Sequence, residues 1–275
     1  MSSTTSSTGA ERYSFDSQPD SPPDGDRWST WDAAHHGPEP RPDWVVTAAA
    51  ACDEEHGVLK TGKEADVHVV RRFVPGTATE VFMAAKRFRS SEHRMFHRDA
   101  GYLEGRRVRR SREMRAMARR TEFGRELAGV QWASAEFATL CELWQDGLPV
   151  PYPVSLDGQE LLMELIGGSG VAAPRLAQTR PTTDEADDWF AQLRRAMRGL
   201  AARGWAHGDL SAYNVLVDDG RIVIIDWPQV VDIVGNPRGL EYLQRDCANV
   251  CTWFTRAGLD VDPEALFAEL VAEVF

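Results

Sequence analysis

The chain has 275 residues, of which 43% are hydrophobic and 27% charged, a composition typical of a globular protein rather than of a disordered or fibrous one. No apolar run reaches the roughly 18 residues of a membrane-spanning helix, and the first twenty residues lack the apolar core of a signal peptide. The sequence therefore predicts a cytoplasmic protein. Its four cysteines form no C-x-x-C pair and are expected to be free thiols.

The formal net charge of −11 is unevenly distributed. Residues 1–57 hold eleven acidic residues and three arginines, whereas residues 86–125 hold fourteen basic and five acidic residues. The basic segment is either a solvated, arginine-rich surface or a binding site for an anionic partner. Of the 31 basic residues only three are lysines: Lys60, Lys63 and Lys86. Because arginine cannot replace lysine where a compact charge meets a phosphate, these positions are candidates for chemistry.

The first half of the chain has a β-rich pattern. Residues 1–43 are rich in Ser, Thr, Pro and Asp and are predicted to be a disordered acidic tail, and residues 44–56 are predicted to form a short helix. Residues 90–128 lack an apolar stripe and are interpreted as a basic insertion. Alternating apolar and polar residues predict strands at 57–60, 66–71 and 80–88.

The second half becomes helical. Apolar residues at helical spacing predict an amphipathic helix over residues 131–145. Strands at 150–156 and 160–166, joined by an Asp-Gly turn, lead to a glycine-rich hinge. Helices are predicted at 183–203, 237–257 and 263–274, with short strands at 214–217 and 221–225. The order predicts an α+β fold with two lobes, a β-rich N-lobe over residues 44–166 and a helical C-lobe over residues 167–275.

The strongest chemical signal is the segment H-G-D-L-S-A-Y-N, which begins at His207 and is followed by I-I-D ending at Asp226. An Asp, an Asn five residues later and a second Asp after a hydrophobic strand are the groups that phosphoryl transfer from a nucleotide requires. Asp209 would orient the attacking oxygen and accept its proton, while Asn214 and Asp226 would supply oxygen ligands to Mg2+. Single Asp and Asn residues are usually turn residues, but the combination is far more specific.

Upstream residues complete the set. Lys86 ends an apolar strand, where a cation would hold the α- and β-phosphates of ATP, and Glu136 on the amphipathic helix is its expected ion-pair partner. Between the first two strands lies a loop that would place backbone N–H groups and a charge on phosphate: Thr61, Gly62 and Lys63. That loop alone is a weak signal, because it is neither a Walker loop nor a multi-glycine kinase loop.

Together the segments T-G-K-E-A-D-V, A-A-K, L-L-M-E-L-I-G, H-G-D-L-S-x-Y-N and I-I-D resemble the RIO family of atypical protein kinases, over roughly residues 44–258. The resemblance implies a two-lobed kinase-like core without an activation segment, with ATP between the lobes. It also implies activity as a serine/threonine kinase or as an ATPase that forms an aspartyl phosphate at Asp226. The acceptor is left open, as a protein substrate or the chain itself.

The sequence also predicts which residues surround the adenine. We expect backbone groups from Glu164 to Ile166 to meet the adenine and Met163 to line the back of the pocket. We expect His207 to brace the catalytic loop, as we call residues 207–214.

Two alternatives stay open. Aminoglycoside- and choline-type phosphotransferases share H-G-D-L-x-x-x-N and I-D-W, so Trp227 favours them, although the T-G-K-E-A loop and the basic insertion do not. A nucleotide-gated module that binds RNA or a ribosomal particle through residues 86–125 would explain the basic segment. A pure binding module has no need of all five intact residues: Lys86, Glu136, Asp209, Asn214 and Asp226.

Overall fold

A seven-stranded antiparallel sheet forms the first half of the computed structural model, which describes residues 21, 22, 24–89, 122–227 and 230–275. The spatial order is β1-β3-β4-β5-β7-β6-β2. The strands are β1 (Arg27–Trp28), β2 (His35–His36), β3 (Cys52–Thr61), β4 (Ala65–Phe73), β5 (Glu80–Phe88), β6 (Pro153–Asp157) and β7 (Glu160–Glu164). The strands predicted at 66–71, 80–88 and 57–60 are confirmed within β4, β5 and β3.

Helix α1 (Glu122–Gln145) packs against this sheet. Its buried residues recur at helical spacing, since Ala133, Leu140 and Leu143 all lie in the main hydrophobic core. The helix predicted over residues 131–145 is therefore confirmed and begins further upstream than expected. The rest of the predicted basic insertion, residues 90–121, lies outside the described residues.

Residues 24–46, which we call the N-terminal strap, contradict the prediction of a disordered tail from residue 24 to residue 43. The strap supplies both edge strands, because β1 pairs with β3 and β2 pairs with β6. Trp31 is only 7% exposed and packs with Val45, Met83 and Leu162. The segment has few aliphatic residues, but one large aromatic ring supplies the apolar area that holds it to the sheet. Residues 1–20 lie outside the described residues.

The helix predicted over residues 44–56 is also wrong, because Cys52 to His56 belong to β3. The alanine-rich run favours a helix locally, yet Asp53 faces Arg72 across the β3–β4 ladder. Both side chains are fully buried, and the guanidinium donates two hydrogen bonds to the carboxylate, at 2.7 and 2.9 Å. A paired charge of this kind, made only in the strand register, outweighs the local helix propensity.

The second half contains three long helices, α2 (Thr183–Ala202), α3 (Gly239–Arg256) and α4 (Pro263–Val274), as predicted. Thr182 caps α2 with Glu185 as its reciprocal partner. Short hairpins and bridges connect the helices: β8 (Gly167–Gly168) with β9 (Val171–Ala172), β10 (Trp205–Ala206) with β13 (Val231–Asp232), and β11 (Val215–Asp218) with β12 (Arg221–Ile224). Only residues 225–238 separate β12 from α3, in agreement with the predicted lack of an activation segment.

Two further predictions about the chain can be compared with the structure. All four cysteines are free thiols, and Cys52, Cys247 and Cys251 are buried. Among the described residues no helix combines the length and apolar character that crossing a bilayer requires.

We expect Trp31→Ala to lower the free energy of unfolding by about 3 kcal/mol, because it leaves a cavity where the strap meets the sheet. Urea denaturation followed by circular dichroism measures this change. His35→Ala is the matched control, since that side chain is exposed on the same strap and its removal should cost at most about 0.5 kcal/mol. Equal stability of the two variants would contradict the packing of the strap.

Candidate active site

Lys86 is the centre of a charged cluster between the sheet and the helical half. Its Nζ donates to both carboxylate oxygens of Glu136 at 2.7 Å and to Oδ1 of Asp226 at 3.0 Å. Glu136 is on the buried face of α1, because it follows Ala133 by three residues and precedes Leu140 by four. The structure thus brings Lys86 together with two residues that lie 50 and 140 positions away in the sequence. It forms the ion pair between Lys86 and Glu136 that the sequence predicts.

Lys86 and Asp226 keep their charges in this cluster. Burial lowers the pKa of Lys86, but the charges of Glu136 and Asp226 outweigh burial and raise that pKa to about 12. Burial also acts on Asp226 by favouring the neutral acid, yet Lys86 and Lys60 lower the pKa of this carboxyl to about 2. For Glu136, burial raises the pKa and Lys86 partly offsets the rise. At neutral pH, Asp226 is therefore a carboxylate and Lys86 an ammonium.

Asp226 adopts a backbone conformation that is rare for a residue with a side chain. Its φ is 68°, in the left-handed region. The next residue, Trp227, is fully buried, and its indole N–H donates to the carbonyl of Ile224 at 3.0 Å. Trp227 thereby anchors the chain next to Asp226. The Asp226 side chain, which contacts Lys86, remains 32% exposed to solvent. Strain of this kind is concentrated at functional sites.

His207 ties the catalytic loop to the segment that carries Asp226. Its Nε2 lies 3.2 Å from the carbonyl of Ile225, and its Nδ1 accepts the backbone N–H of Asp209 at 3.3 Å. These contacts require a neutral ring with its proton on Nε2, and burial lowers the pKa of His207, which favours the neutral form. This is the bracing role expected of His207. The side chain of Asp209 itself is exposed.

Asn214 is buried beside the same loop, and its Nδ2 donates to the carbonyl of Asp209 at 3.0 Å. That contact commits the amide nitrogen, so Oδ1 is the atom available to a cation. The donor set fits Mg2+, since an ionised carboxylate on Asp226 and an amide oxygen on Asn214 are hard ligands. No group of three or more His, Cys, Asp or Glu in the described part of the chain is placed to hold a metal ion. A metal here would complete its shell with phosphate and water oxygens.

The β3–β4 turn is the predicted phosphate loop. The Gly62 N–H donates to the carbonyl of Ala65 at 3.0 Å, and a Cβ at Gly62 would lie only 2.7 Å from that oxygen. Glycine is therefore required for so tight a turn. The two flanking residues, Thr61 and Lys63, are exposed.

The residues predicted near the adenine lie where β7 meets the β8–β9 hairpin. Met163 faces Ala84 of β5, and the Ile166 carbonyl accepts the N–H of Ala173 at 2.7 Å. The side chain of Glu164 accepts the Tyr152 N–H at 3.0 Å, so it belongs to the sheet rather than to the ligand. This arrangement is compatible with the prediction that only backbone groups of Glu164 meet the base.

Side chains of α3 hold the catalytic loop through hydrogen bonds that the sequence analysis did not predict. The fully buried carboxylate of Asp246 accepts the N–H groups of Gly208 at 2.7 Å and Leu210 at 2.9 Å. Asn249 and Arg245 donate to the carbonyls of the same two loop residues. Burial raises the pKa of Asp246 to about 7, against the effect of both N–H donors. One signal was available, since Asp246 is an acid on the apolar face of a helix between Leu243 and Val250.

Lys60 was a candidate only as one of the three lysines, and the sequence assigned it no role in the site. Its Nζ lies 3.4 Å from Oδ2 of Asp226, whereas Lys86 contacts Oδ1. Lys63, which was expected to contact phosphate, lies in the turn.

Comparison with known proteins gives consistent matches. The RIO domain family matches residues 74–266. The RIO-type serine/threonine-protein kinase Rio1 of Haloferax volcanii is 34% identical over 213 residues, which cover 77% of this chain and 67% of that protein. Serine/threonine-protein kinase RIO1 of Caenorhabditis elegans is 33% identical over 74% of this chain and 38% of that protein, so the chain spans well under half of this longer relative.

A solved structure supports the fold. The Rio2 kinase–ADP/Mg2+–phosphoaspartate complex from Chaetomium thermophilum aligns with a TM-score of 0.56 at 23% identity, covering 80% of this chain and 62% of that chain. The predicted two-lobed, kinase-like α+β fold is therefore confirmed. Since the family match covers most of the chain and the Haloferax kinase aligns along two thirds of its own length, the chain belongs to the RIO family.

Proposed function

We propose that this chain is a cytoplasmic, ATP- and Mg2+-dependent phosphotransferase of the RIO type that uses the Lys86 cluster as its active site. The observation that carries the proposal is the position of Lys86, within 3.0 Å of both Glu136 and Asp226. A buried lysine fixed by a helix glutamate holds the α- and β-phosphates. Asn214 and Asp226 would hold Mg2+, which would supply positive charge that offsets the charge of the phosphates.

The other residues bind and orient the nucleotide. Thr61, Gly62 and Lys63 cover the phosphates from the β3–β4 turn, and the backbone from Glu164 to Ile166 meets the adenine, with Met163 behind it. The side chain of Asp209 is exposed, and its carboxylate orients the acceptor or a water molecule and takes its proton.

Asp226 is the acceptor that we favour for the phosphoryl group. The Rio2 complex from Chaetomium thermophilum contains a phosphoaspartate, and Asp226 has the ionised, partly exposed carboxylate that such a product requires. A carboxylate oxygen bonds to the γ-phosphorus while the bond from that phosphorus to the bridging oxygen breaks, and ADP leaves with the electron pair. Water oriented by Asp209 then hydrolyses the aspartyl phosphate and releases inorganic phosphate.

A serine or threonine hydroxyl, of another protein or of this chain, is the other acceptor for the same site. Binding of RNA or a ribosomal particle through residues 86–125 remains a prediction, because residues 90–121 lie outside the described residues. The small-molecule alternative is not better supported: Trp227, which favoured it in the sequence, is a buried anchor, and the relatives found are RIO kinases.

Incubation with γ-labelled ATP and Mg2+ tests the proposal. We expect label on the protein that hydroxylamine removes, and we expect Asp226→Asn to lose the label and to lower ATP turnover at least about 100-fold, since a group placed on the reacting phosphate is removed. Asp157→Asn, which changes the exposed last residue of β6, is the control and should behave as wild type.

The outcomes separate the acceptors. Hydroxylamine-stable label would reject Asp226 as the acceptor and indicate a serine or threonine. Full turnover in Asp226→Asn would reject the assignment of this residue, and absence of ATP consumption by the wild type would reject the proposed function.

A pH dependence follows from Asp246. Its pKa of about 7, against an ordinary value of 3.8, means that folding favours the protonated acid. The stabilisation from this group is therefore complete below pH 3.8 and is lost as the pH rises through about 7. The carboxylate form is the one that holds both loop N–H groups, so we expect kcat to increase as the pH rises through about 7.

Comparison of wild type with Asp246→Asn over pH 5.5 to 8.5 measures this step. The variant retains one acceptor oxygen for the two N–H groups. Its kcat should be about tenfold below that of wild type at high pH, and it should show no increase near pH 7. A variant with the same pH profile as wild type would contradict the role of Asp246.

A further inference from the structure

Lys60 contacts the active-site carboxylate and has no part in the function described so far. Its Nζ lies 3.4 Å from Oδ2 of Asp226, whereas Lys86 contacts Oδ1 at 3.0 Å. The Lys60 side chain is 44% exposed, so its ammonium is free to move on its flexible stem. Lys86, in contrast, is buried and fixed by Glu136.

A β-bulge aims Lys60 at the site. The β3–β4 register runs from Val58 opposite His68 to Lys60 opposite Val67, so Leu59 is the extra residue. Without this bulge Leu59 would stand opposite Val67, and Lys60 would point to the other face of the sheet. Bulges beside active sites commonly redirect one side chain in this way.

The register also places the two lysines on one face. Val67 stands opposite Lys60 on one side and opposite Lys86 on the other, and directly opposed residues of neighbouring strands share a face. Their Cα atoms are thus two strand spacings apart, or about 10 Å. Across that gap both ammonium groups contact the carboxylate of Asp226, each at a different oxygen.

We propose that Lys60 is a second catalytic lysine, which binds the phosphoryl group as it passes from ATP to Asp226. Lys60 contacts Oδ2 of Asp226 in the structure, and when ATP binds, its ammonium moves to the γ-phosphate oxygens. Lys86 and Lys60 then have separate tasks, since Lys86 holds the phosphates that leave and Lys60 holds the phosphate that is transferred. The inference rests on the proposed function of Asp226.

Equilibrium binding of two nucleotides tests this division without turnover. Dissociation constants for ADP and for the non-hydrolysable analogue AMP-PNP, each with Mg2+, are measured by calorimetry for wild type, Lys60→Met and Lys60→Arg. Loss of a charged contact to the γ-phosphate should weaken AMP-PNP binding by Lys60→Met about tenfold to 100-fold. ADP lacks that phosphate, so its dissociation constant should stay unchanged or decrease, because Lys60 no longer competes with Mg2+ for Asp226.

Lys60→Arg should recover part of the AMP-PNP affinity, since it retains the charge. Arg71→Met is the matched control, because it removes a cation from the same hairpin, where Arg71 pairs with Glu54 and Glu80. It should bind both nucleotides as wild type does. Single-turnover labelling of Asp226 should slow in Lys60→Met and not in Arg71→Met.

Three results would overturn the inference: equal weakening of ADP and AMP-PNP, no weakening of either, or the same loss in Arg71→Met. Failure of the proposed function gives a different pattern. If wild type binds both nucleotides but never labels Asp226, the acceptor assignment fails, while the difference between ADP and AMP-PNP still reports whether Lys60 contacts the γ-phosphate.

Discussion

The buried pair of Lys86 and Glu136 is the interaction on which the rest of the site depends. Removing two charges from water is costly unless each finds its counterion at short range, so β5 and α1 are held in a single relative position by the 2.7 Å contacts between them. The same ammonium reaches Asp226, which links the sheet to the segment after β12. One lysine thereby sets the geometry of three parts of the chain, and each part contributes a group to the proposed active site.

The helical half gives this cluster a rigid support. His207 joins the catalytic loop to the Asp226 segment through hydrogen bonds on both ring nitrogens, and Asp246 holds the same loop from behind through two backbone N–H groups. Neither side chain needs to touch a nucleotide. Both act by fixing where Asp209 and Asn214 lie, since preorganised groups avoid the cost of reordering at the moment of reaction.

Local patterns in the sequence predicted what depends on local structure. The periodicity of α1, α2 and β5, and the spacing of Asp209, Asn214 and Asp226, can be recognised within a few turns or strands. The features that were missed depend on pairing between distant residues. The start of β3 depends on the ion pair between Asp53 and Arg72. The strap is held because Trp31 packs in the core of the sheet. The position of Lys60 depends on a one-residue bulge in β3. A single sequence carries little trace of such partners.

The strap has a consequence for how separate copies of the chain behave. A sheet with open edges presents unpaired N–H and C=O groups that recruit strands from other molecules. Here β1 and β2 cover the outer strands β3 and β6 at Cys52–Asp53 and Ser155–Leu156. A shortened chain that began at residue 44, the start of the N-lobe as the sequence predicts it, would expose backbone on both sides of its sheet at once. Such a molecule would be prone to join edge to edge into insoluble assemblies, even with every catalytic residue in place.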